Sequence, residues 1–501
     1  MIELLNHLSI GFSVALTLTN LLYCFVGTLL GTLIGVLPGI GPTATIAMLL
    51  PITFKLPAIS ALIMLAGIYY GAQYGGSTTA ILVNLPGEAS SVVTCLDGYQ
   101  MARQGRAGPA LATAAIGSFF AGCVATVIIV LFAPVLAGVA LKFGPVEYFS
   151  MMLFGLMAAV ILAHGSVLKA IAMVVLGLLL GMVGTDVTSG QTRFNFDVPQ
   201  LSDGIDFVIV AMGLFGYAEI IHSLEQKEKR EIVSDRVTGL WPTRQDFQMA
   251  WKAVVRGTVL GSILGILPGG TAALSSFAAY TLEKKTAKDP SRFGKGAIEG
   301  VAGPESANNA AAQTSFIPML TLGIPTNSVM ALMIGAMMIH GIAPGPQVMT
   351  ARPQLFWGMV VSMWLGNLML VILNLPLIGL WVRLLKLPYR FLFPSILTFC
   401  CIGVYSLSNS ALDVVLTAFF GLLGYLLASF DCEPAPLLLG FILGPMMEEN
   451  FRRAMLMSRG DATVFFREPI SLTLLIMTVL LLVLIIAPTV RQKRDEAFHE
   501  D

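Results

Sequence analysis

The sequence predicts an all-α polytopic membrane protein, and three observations predict it. The chain has 501 residues, of which 56% are hydrophobic and only 12% charged, with a mean hydropathy of +0.82. A soluble domain carries about a quarter charged residues. Apolar stretches long enough to span recur throughout, for example Ile116 to Val135, Leu355 to Leu375 and Ile470 to Ala487; at about 20 residues per crossing they predict roughly ten to twelve transmembrane helices. Finally, Gly31-Thr-Leu-Ile-Gly-Val-Leu-Pro-Gly39 returns 230 residues later as Gly261-Ser-Ile-Leu-Gly-Ile-Leu-Pro-Gly269. A duplicated, interrupted membrane helix marks the binding site of secondary transporters.

The elements follow in order. The first apolar run starts near Leu8 and continues past residue 30. It is too long for a signal peptide and no small-residue cleavage site follows, so it reads as a retained first helix. Leu37-Pro-Gly-Ile-Gly-Pro-Thr-Ala-Thr45 then breaks the helix, because Pro lacks a donor and Gly tolerates unusual dihedrals. A second break falls in Asn84-Leu-Pro-Gly-Glu-Ala-Ser-Ser91, after the motif Tyr69-Tyr-Gly-Ala-Gln-Tyr-Gly-Gly-Ser-Thr-Thr-Ala80. The second half repeats the plan with Leu267-Pro-Gly-Gly-Thr-Ala-Ala-Leu-Ser-Ser276, then Glu305-Ser-Ala-Asn-Asn309, Gln313-Thr-Ser315 and Gly323-Ile-Pro-Thr-Asn-Ser328. The division is therefore a first membrane repeat over 1–225, broken near 38–45 and 77–91, and a cytoplasmic loop over 226–256. A second repeat covers 257–450, broken near 268–276 and 313–328, and a C-terminal helix and tail cover 451–501. Gly27, Gly31 and Gly35, like Gly261, Gly265 and Gly269, follow the small-xxx-small spacing of closely packed helices.

Charge placement orients the chain. The stretch from His222 to Arg256 holds Lys227, Lys229, Arg230, Arg236, Arg244, Lys252 and Arg256, and the last span exits as Arg491-Gln-Lys-Arg494. By the positive-inside rule these are cytoplasmic, as is the loop from Glu283 to Lys295, whereas the acidic stretch Thr185 to Gly204 is outside. In the first repeat the loop after Leu-Pro-Gly holds only Lys55, and the later loop holds Arg103 and Arg106. In the second repeat the bias is exchanged, with Lys284, Lys285, Lys288, Arg292 and Lys295 early and Arg352 alone late. An exchanged bias is what inverted repeats produce.

Several function classes fall away. Zero net charge gives no footprint for nucleic acid. The six cysteines form no Cys-x-x-Cys pair and read as reduced thiols, and the five histidines, His164 and His340 among them, have no metal-ligand spacing. No His-Glu-x-x-His, Gly-x-Ser-x-Gly or Walker motif is present, so neither an intramembrane hydrolase nor an ATP-driven pump is indicated.

A break frees backbone N–H and C=O groups in the apolar layer, and these are tolerated only where protein, water or ligand satisfies them. Freed carbonyls with hydroxyls suit a sodium ion, and a restarted helix N-terminus suits an anion. Arg and Lys are absent from the break motifs. The chemistry fits small carboxylates without excluding a neutral polar solute. Glu88, Asp97, Glu299 and Glu305 are the ionisable residues nearby; Asp97 reads as an interfacial loop residue, and any of the four inside the membrane would be a functional candidate.

The motif Gly-Val-Leu-Pro-Gly-Ile-Gly-Pro near residue 40 resembles the large permease subunit of the tripartite tricarboxylate transporter family. So do Gly67-Ile-Tyr-Tyr-Gly-Ala-Gln-Tyr-Gly-Gly-Ser77, the run from Asn84 to Gly98, Gly303-Pro-Glu-Ser-Ala-Asn-Asn309 and Leu322-Gly-Ile-Pro-Thr-Asn-Ser328. The resemblance implies a multi-pass subunit of the bacterial inner membrane. It implies two partners, a small membrane subunit of four helices and an extracytoplasmic solute-binding protein. It also implies uptake of citrate or related carboxylates driven by an ion gradient, usually sodium, with no other cofactor. A stand-alone carrier or channel for another small polar solute is the alternative.

The substrate-side candidates are Ser77, Thr78, Thr79, Asn84, Pro86, Gly87, Asn308, Asn309, Pro325, Thr326, Asn327 and Ser328. The sodium candidates are Gly39, Thr43, Gly269 and Thr271, largely through backbone carbonyls. The inverted reading predicts that Lys55→Cys and Lys285→Cys, each in a cysteine-free background, react with an impermeant thiol reagent from opposite sides of the membrane. Labelling of both from one side would contradict it.

Overall fold

The computed structural model describes residues 2–37, 41–140, 142–162, 166–186, 189–225, 239–267, 271–385 and 389–486. Gly39, Gly269, His164, Lys227, Lys229, Arg230, Arg236 and the tail from Arg491 to Arg494 lie outside them. Among the described residues the fold is helical almost throughout; the only strands are Gly184–Thr185 and Thr192–Arg193, paired antiparallel. Five helices are long and apolar enough to cross a membrane unaided, and six further apolar helices of 10–17 residues accompany them. Of the ten to twelve spans expected, five are full-length candidates among the described residues.

The first repeat opens with α1 (Leu18–Val36), capped by the Thr17 side chain on the Asn20 N–H. It stops where Leu37 turns extended before Pro38. The chain resumes as α2 (Pro42–Thr53), with Pro at its first position, where a missing N–H costs nothing. Next comes α3 (Ala58–Val83), nearly all of it buried, which ends at Asn84 in the left-handed conformation (φ 59°). After the break, a 3-10 turn (Ala89–Ser91) leads into a helical stretch that runs to Arg103, and α4 (Ala107–Ala140) follows.

The second repeat copies this plan. α5 (Arg244–Ile266) stops at an extended Leu267, and α6 (Ala272–Thr286) restarts on a Thr271 cap. α7 (Glu299–Thr314) and α8 (Phe316–Leu322) together replace α3, and α8 ends at Gly323, again left-handed (φ 72°). α9 (Ser328–Ile339) restarts on an Asn327 cap, and α10 (Pro353–Asn374) crosses behind. Residues expected to be broken near 77–91 and 313–328 are therefore helical as far as Val83 and Leu322. The interruptions are confined to 84–88 and 323–327, because residues 77–83 keep intact helical bonding until the first residue able to adopt positive φ. Likewise residues 42–45 and 272–276 belong to restarted helices.

Glycine decides the packing within each repeat. A Cβ on Gly27, Gly31 or Gly35 would collide with the carbonyl oxygen of Met64, Ile68 or Ala72 on α3. A Cβ on Gly257, Gly261 or Gly265 would collide with that of Gly303, Ala307 or Ala311 on α7. The two sets are related by 230 residues in one helix and 239 in its partner, so the same backbone-to-backbone contact is built twice. Between repeats the pairing crosses over: α2 packs on α9, and α6 packs on the Ala89–Ser91 turn. The helix that follows each repeat's Leu-Pro-Gly thereby packs on the segment that follows the other repeat's second break.

On another face, Arg193 of the strand pair and Asp186, just after its first strand, join Glu448 and Arg452 of the helix Pro434–Met457. The glycine contact predicts that Gly31→Val and Gly261→Val each force α1 from α3, or α5 from α7. Overpacking of this kind costs about 1–3 kcal/mol, and a lower midpoint in thermal unfolding of the detergent-solubilised protein would register it.

Candidate functional site

Two polar centres form where these segments meet, and one face of α3 runs between them. Tyr69, Gln73 and Ser77 lie at i, i+4 and i+8 and so share that face. At 1.5 Å per residue the stripe is about 12 Å long. Tyr69 and Gln73 were not singled out in the sequence; their helical spacing within the 69–80 motif was the available signal.

At the Tyr69 end lies the meeting of α2 with α9. Thr43 and Ser328 hydroxyls are hydrogen-bonded at 3.1 Å. Asn327 accepts from the Met330 N–H at 2.9 Å, capping α9, and its amide donates to the Tyr69 hydroxyl at 3.4 Å. Thr326 and Pro325 are buried beside it. This centre holds hydroxyls, an amide and the N-termini of two twelve-residue helices. Such termini carry partial positive charge and orphan N–H groups, the chemistry that receives an anion.

At the Ser77 end the 84–88 break faces α6 and α7. Glu88 is the N-cap of the Ala89–Ser91 turn, and the Ser90 hydroxyl lies within hydrogen-bond distance of the Glu88 carboxylate and, at 2.8 Å, of the Gln73 side-chain amide oxygen Oε1. Glu305, fully buried on α7, accepts from Ser77 at 2.6 Å, from Thr94, and from the Asn308 amide at 3.3 Å. Asn309 donates to Ser118 at 2.7 Å and to the Glu305 carbonyl at 3.1 Å. Thr78 lines a small cavity with Tyr74, Ser77, Ser118 and Asn374.

The remaining candidates fall nearby in different roles. Thr79 donates to the Val36 carbonyl at 2.8 Å, so it satisfies a group that the end of α1 exposes. Gly87 is buried where a Cβ would strike the Gly35 carbonyl and sit 2.6 Å from the Gly76 Cα. Asn84 and Pro86 are exposed. Thr271 accepts from the Leu274 N–H at 3.1 Å as the α6 cap.

Asp97, expected as an interfacial loop residue, is instead fully buried in a helical segment. It gathers the N–H groups of Gly296 and Ala297, both at 2.8 Å, and the Tyr280 hydroxyl at 2.9 Å. Those bonds fasten the stretch after the 84–88 break to α6 and the loop before α7. Glu299 pairs with Arg292, and the buried Glu283 with Arg256.

Helices duplicated around two break centres, embedded in an apolar bundle, define a membrane transporter. The family comparison agrees: the model of the tripartite tricarboxylate transporter TctA family matches residues 21–439. The chain belongs to that family and is the large permease subunit of a system that includes further subunits and a binding protein. It is 60% identical over 501 residues, the whole of both chains, to an uncharacterized 52.8 kDa protein in the TAR-I ttuC' 3' region of Agrobacterium vitis. It is also 61% identical over 241 residues to an uncharacterized protein in the TAR-II ttuC' 3' region of the same organism, covering 48% of this chain and all of that one. No solved structure matches the chain.

The geometry separates scaffold from site at Thr79. Thr79→Val removes one buried bond, worth about 1 kcal/mol. It should lower the unfolding midpoint while leaving the KM for the transported solute unchanged; a changed KM at unchanged stability would place Thr79 on the solute.

Proposed function

We propose that this subunit imports small carboxylates, citrate and other tricarboxylates among them, by alternating access driven by an inward ion gradient, with sodium as the coupling ion. In this reading an extracytoplasmic binding protein delivers the solute, a four-helix membrane subunit accompanies the permease, and the complex sits in the bacterial inner membrane. The two repeats are inverted, with boundaries near residues 225, 257 and 450. Solute and coupling ion are held at the two break centres, one gathering the residues around 77–87 and 308–309, the other Thr43 with the residues 325–328.

One observation carries the proposal: the helix restarted after each repeat's Leu-Pro-Gly packs on the segment after the other repeat's second break, α2 on α9 and α6 on the Ala89–Ser91 turn. Discontinuous helices paired at a repeat interface are the construction by which secondary carriers hold solute and ion at mid-membrane. Neither Lys nor Arg lies in the break motifs. A carboxylate there relies on helix N-termini, hydroxyls, amides and a co-bound cation.

Uptake of radiolabelled citrate into proteoliposomes holding both membrane subunits, with binding protein outside, tests the reading. Accumulation is expected only with binding protein and an inward sodium gradient both present. Sodium-dependent uptake of other carboxylates but not citrate would keep the mechanism and change the solute. Uptake indifferent to the binding protein would replace the proposal with a stand-alone carrier.

A further inference from the structure

The two break centres are built alike and charged differently. Glu88 and Asn327 are 239 residues apart, the same spacing that relates Asn84 to Gly323 and Pro86 to Pro325. Both are extended N-caps, with φ and ψ of −155° and 168° at Glu88 and of −153° and 176° at Asn327. At Asn327 the side chain accepts the Met330 N–H at 2.9 Å; at Glu88 the Ser91 N–H goes to the Glu88 backbone carbonyl at 3.1 Å and the Ser91 hydroxyl accepts the Glu88 N–H at 3.3 Å. One position thus presents a carboxylate in the first repeat and a neutral amide in the second.

Glu305 adds a second carboxylate to the Glu88 side. Glu88 leans over Gly76, where an added Cβ would sit 2.9 Å from its Cγ, next to Ser77. Among the described residues neither acid forms an ion pair. Guanidinium groups partner Glu283 (Arg256), Asp246 (Arg106) and Glu299 (Arg292), while buried Asp97 is held by two backbone N–H groups and the Tyr280 hydroxyl. At Glu305 the chain supplies oxygen-bearing neutral groups instead: Ser77, Thr94 and Asn308. In the same network the Oδ1 of Asn309, itself fully buried, has no partner. A buried carboxylate without a countercharge is disfavoured unless it takes up a proton, is fully hydrogen-bonded or is joined by a cation. Hydroxyl, amide and carboxylate oxygens are the ligands a hard cation takes.

We propose a division of labour between the centres. The Glu305 centre, with Ser77, Thr94, Asn308 and Glu88, binds the coupling sodium ion. The uncharged centre of Thr43, Ser328, Asn327 and Tyr69 receives the carboxylate. The second half rests on the carboxylate reading above; the first does not. The two acids would repel an anionic solute, and the opposite centre, about 12 Å away along α3, offers helix N-termini without acids. The Tyr69–Gln73–Ser77 stripe lies between them.

The test is binding of radioactive sodium, with no solute present, to the full-length permease in lipid nanodiscs. Wild type should bind saturably. Glu305→Gln should weaken binding at least ~10-fold, since the ion loses its buried countercharge. The paired Thr43→Val and Ser328→Ala changes should leave it within about twofold, as sites without shared partners behave independently. If Glu305→Gln fails to elute as a folded species, Glu305→Asp and Glu88→Gln take its place, the first retaining sodium binding and the second weakening it. No sodium binding by the wild type, or wild-type binding by Glu305→Gln, overturns the assignment. Because the assay contains no solute, failure of citrate uptake beside intact, Glu305-dependent sodium binding would remove the carboxylate reading alone.

Discussion

The structure depends on one constraint: a peptide group freed inside the apolar layer must find its partner within the protein. Each break exposes the last carbonyls of one helix and the first N–H groups of the next. The chain answers with side chains brought from elsewhere. Thr79 reaches the Val36 carbonyl at the end of α1, Asn327 caps α9, Thr271 caps α6, and the Ser91 hydroxyl accepts the Glu88 N–H at the 84–88 break. Polar side chains gather along the α3 face and at the two centres, where interrupted backbone has to be satisfied. A binding site for small polar ligands is a consequence of the same bookkeeping.

That constraint also explains the glycine stripes. An interrupted helix has fewer residues with which to hold its neighbour, so α1 and α5 lie directly on the backbone of α3 and α7, where any side chain would collide with a carbonyl oxygen. Without a hydrophobic driving force between helices in lipid, close approach of this kind is the principal source of association. The rigid pairs α1–α3 and α5–α7 then serve as frames on which the breaks are displayed. Asp97, gathering two N–H groups and a tyrosine hydroxyl, ties the first repeat's frame to the second's.

Much of this was legible in the chain. Leu-Pro-Gly repeated at 230 residues announced both first breaks, and the aligned Leu85-Pro86 and Ile324-Pro325 announced the second pair. The left-handed Asn84 and Gly323 belong to residue types that tolerate positive φ. Other features were not legible, for physical reasons. The break limits depend on where helical bonding fails, so 77–83 and 313–322 looked loose in composition yet are helical. Which segments meet is a tertiary fact that no local pattern encodes. Asp97 sits in a stretch that reads as a loop, and its burial follows from N–H groups 200 residues away. Glu305 stood out as an ionisable residue, but its lack of a cationic partner emerges only once Ser77, Thr94 and Asn308 are placed around it.

The crossed pairing of the segments after the breaks is the central claim, and a disulfide tests it most directly. In a cysteine-free background, Thr43→Cys with Ser328→Cys places two thiols where hydroxyls stand 3.1 Å apart. Mild oxidation should join them within one chain, seen as faster gel migration that a reductant reverses. Failure to cross-link, in protein that folds and whose single thiols both react with a small probe, would contradict the crossed arrangement and the site built on it.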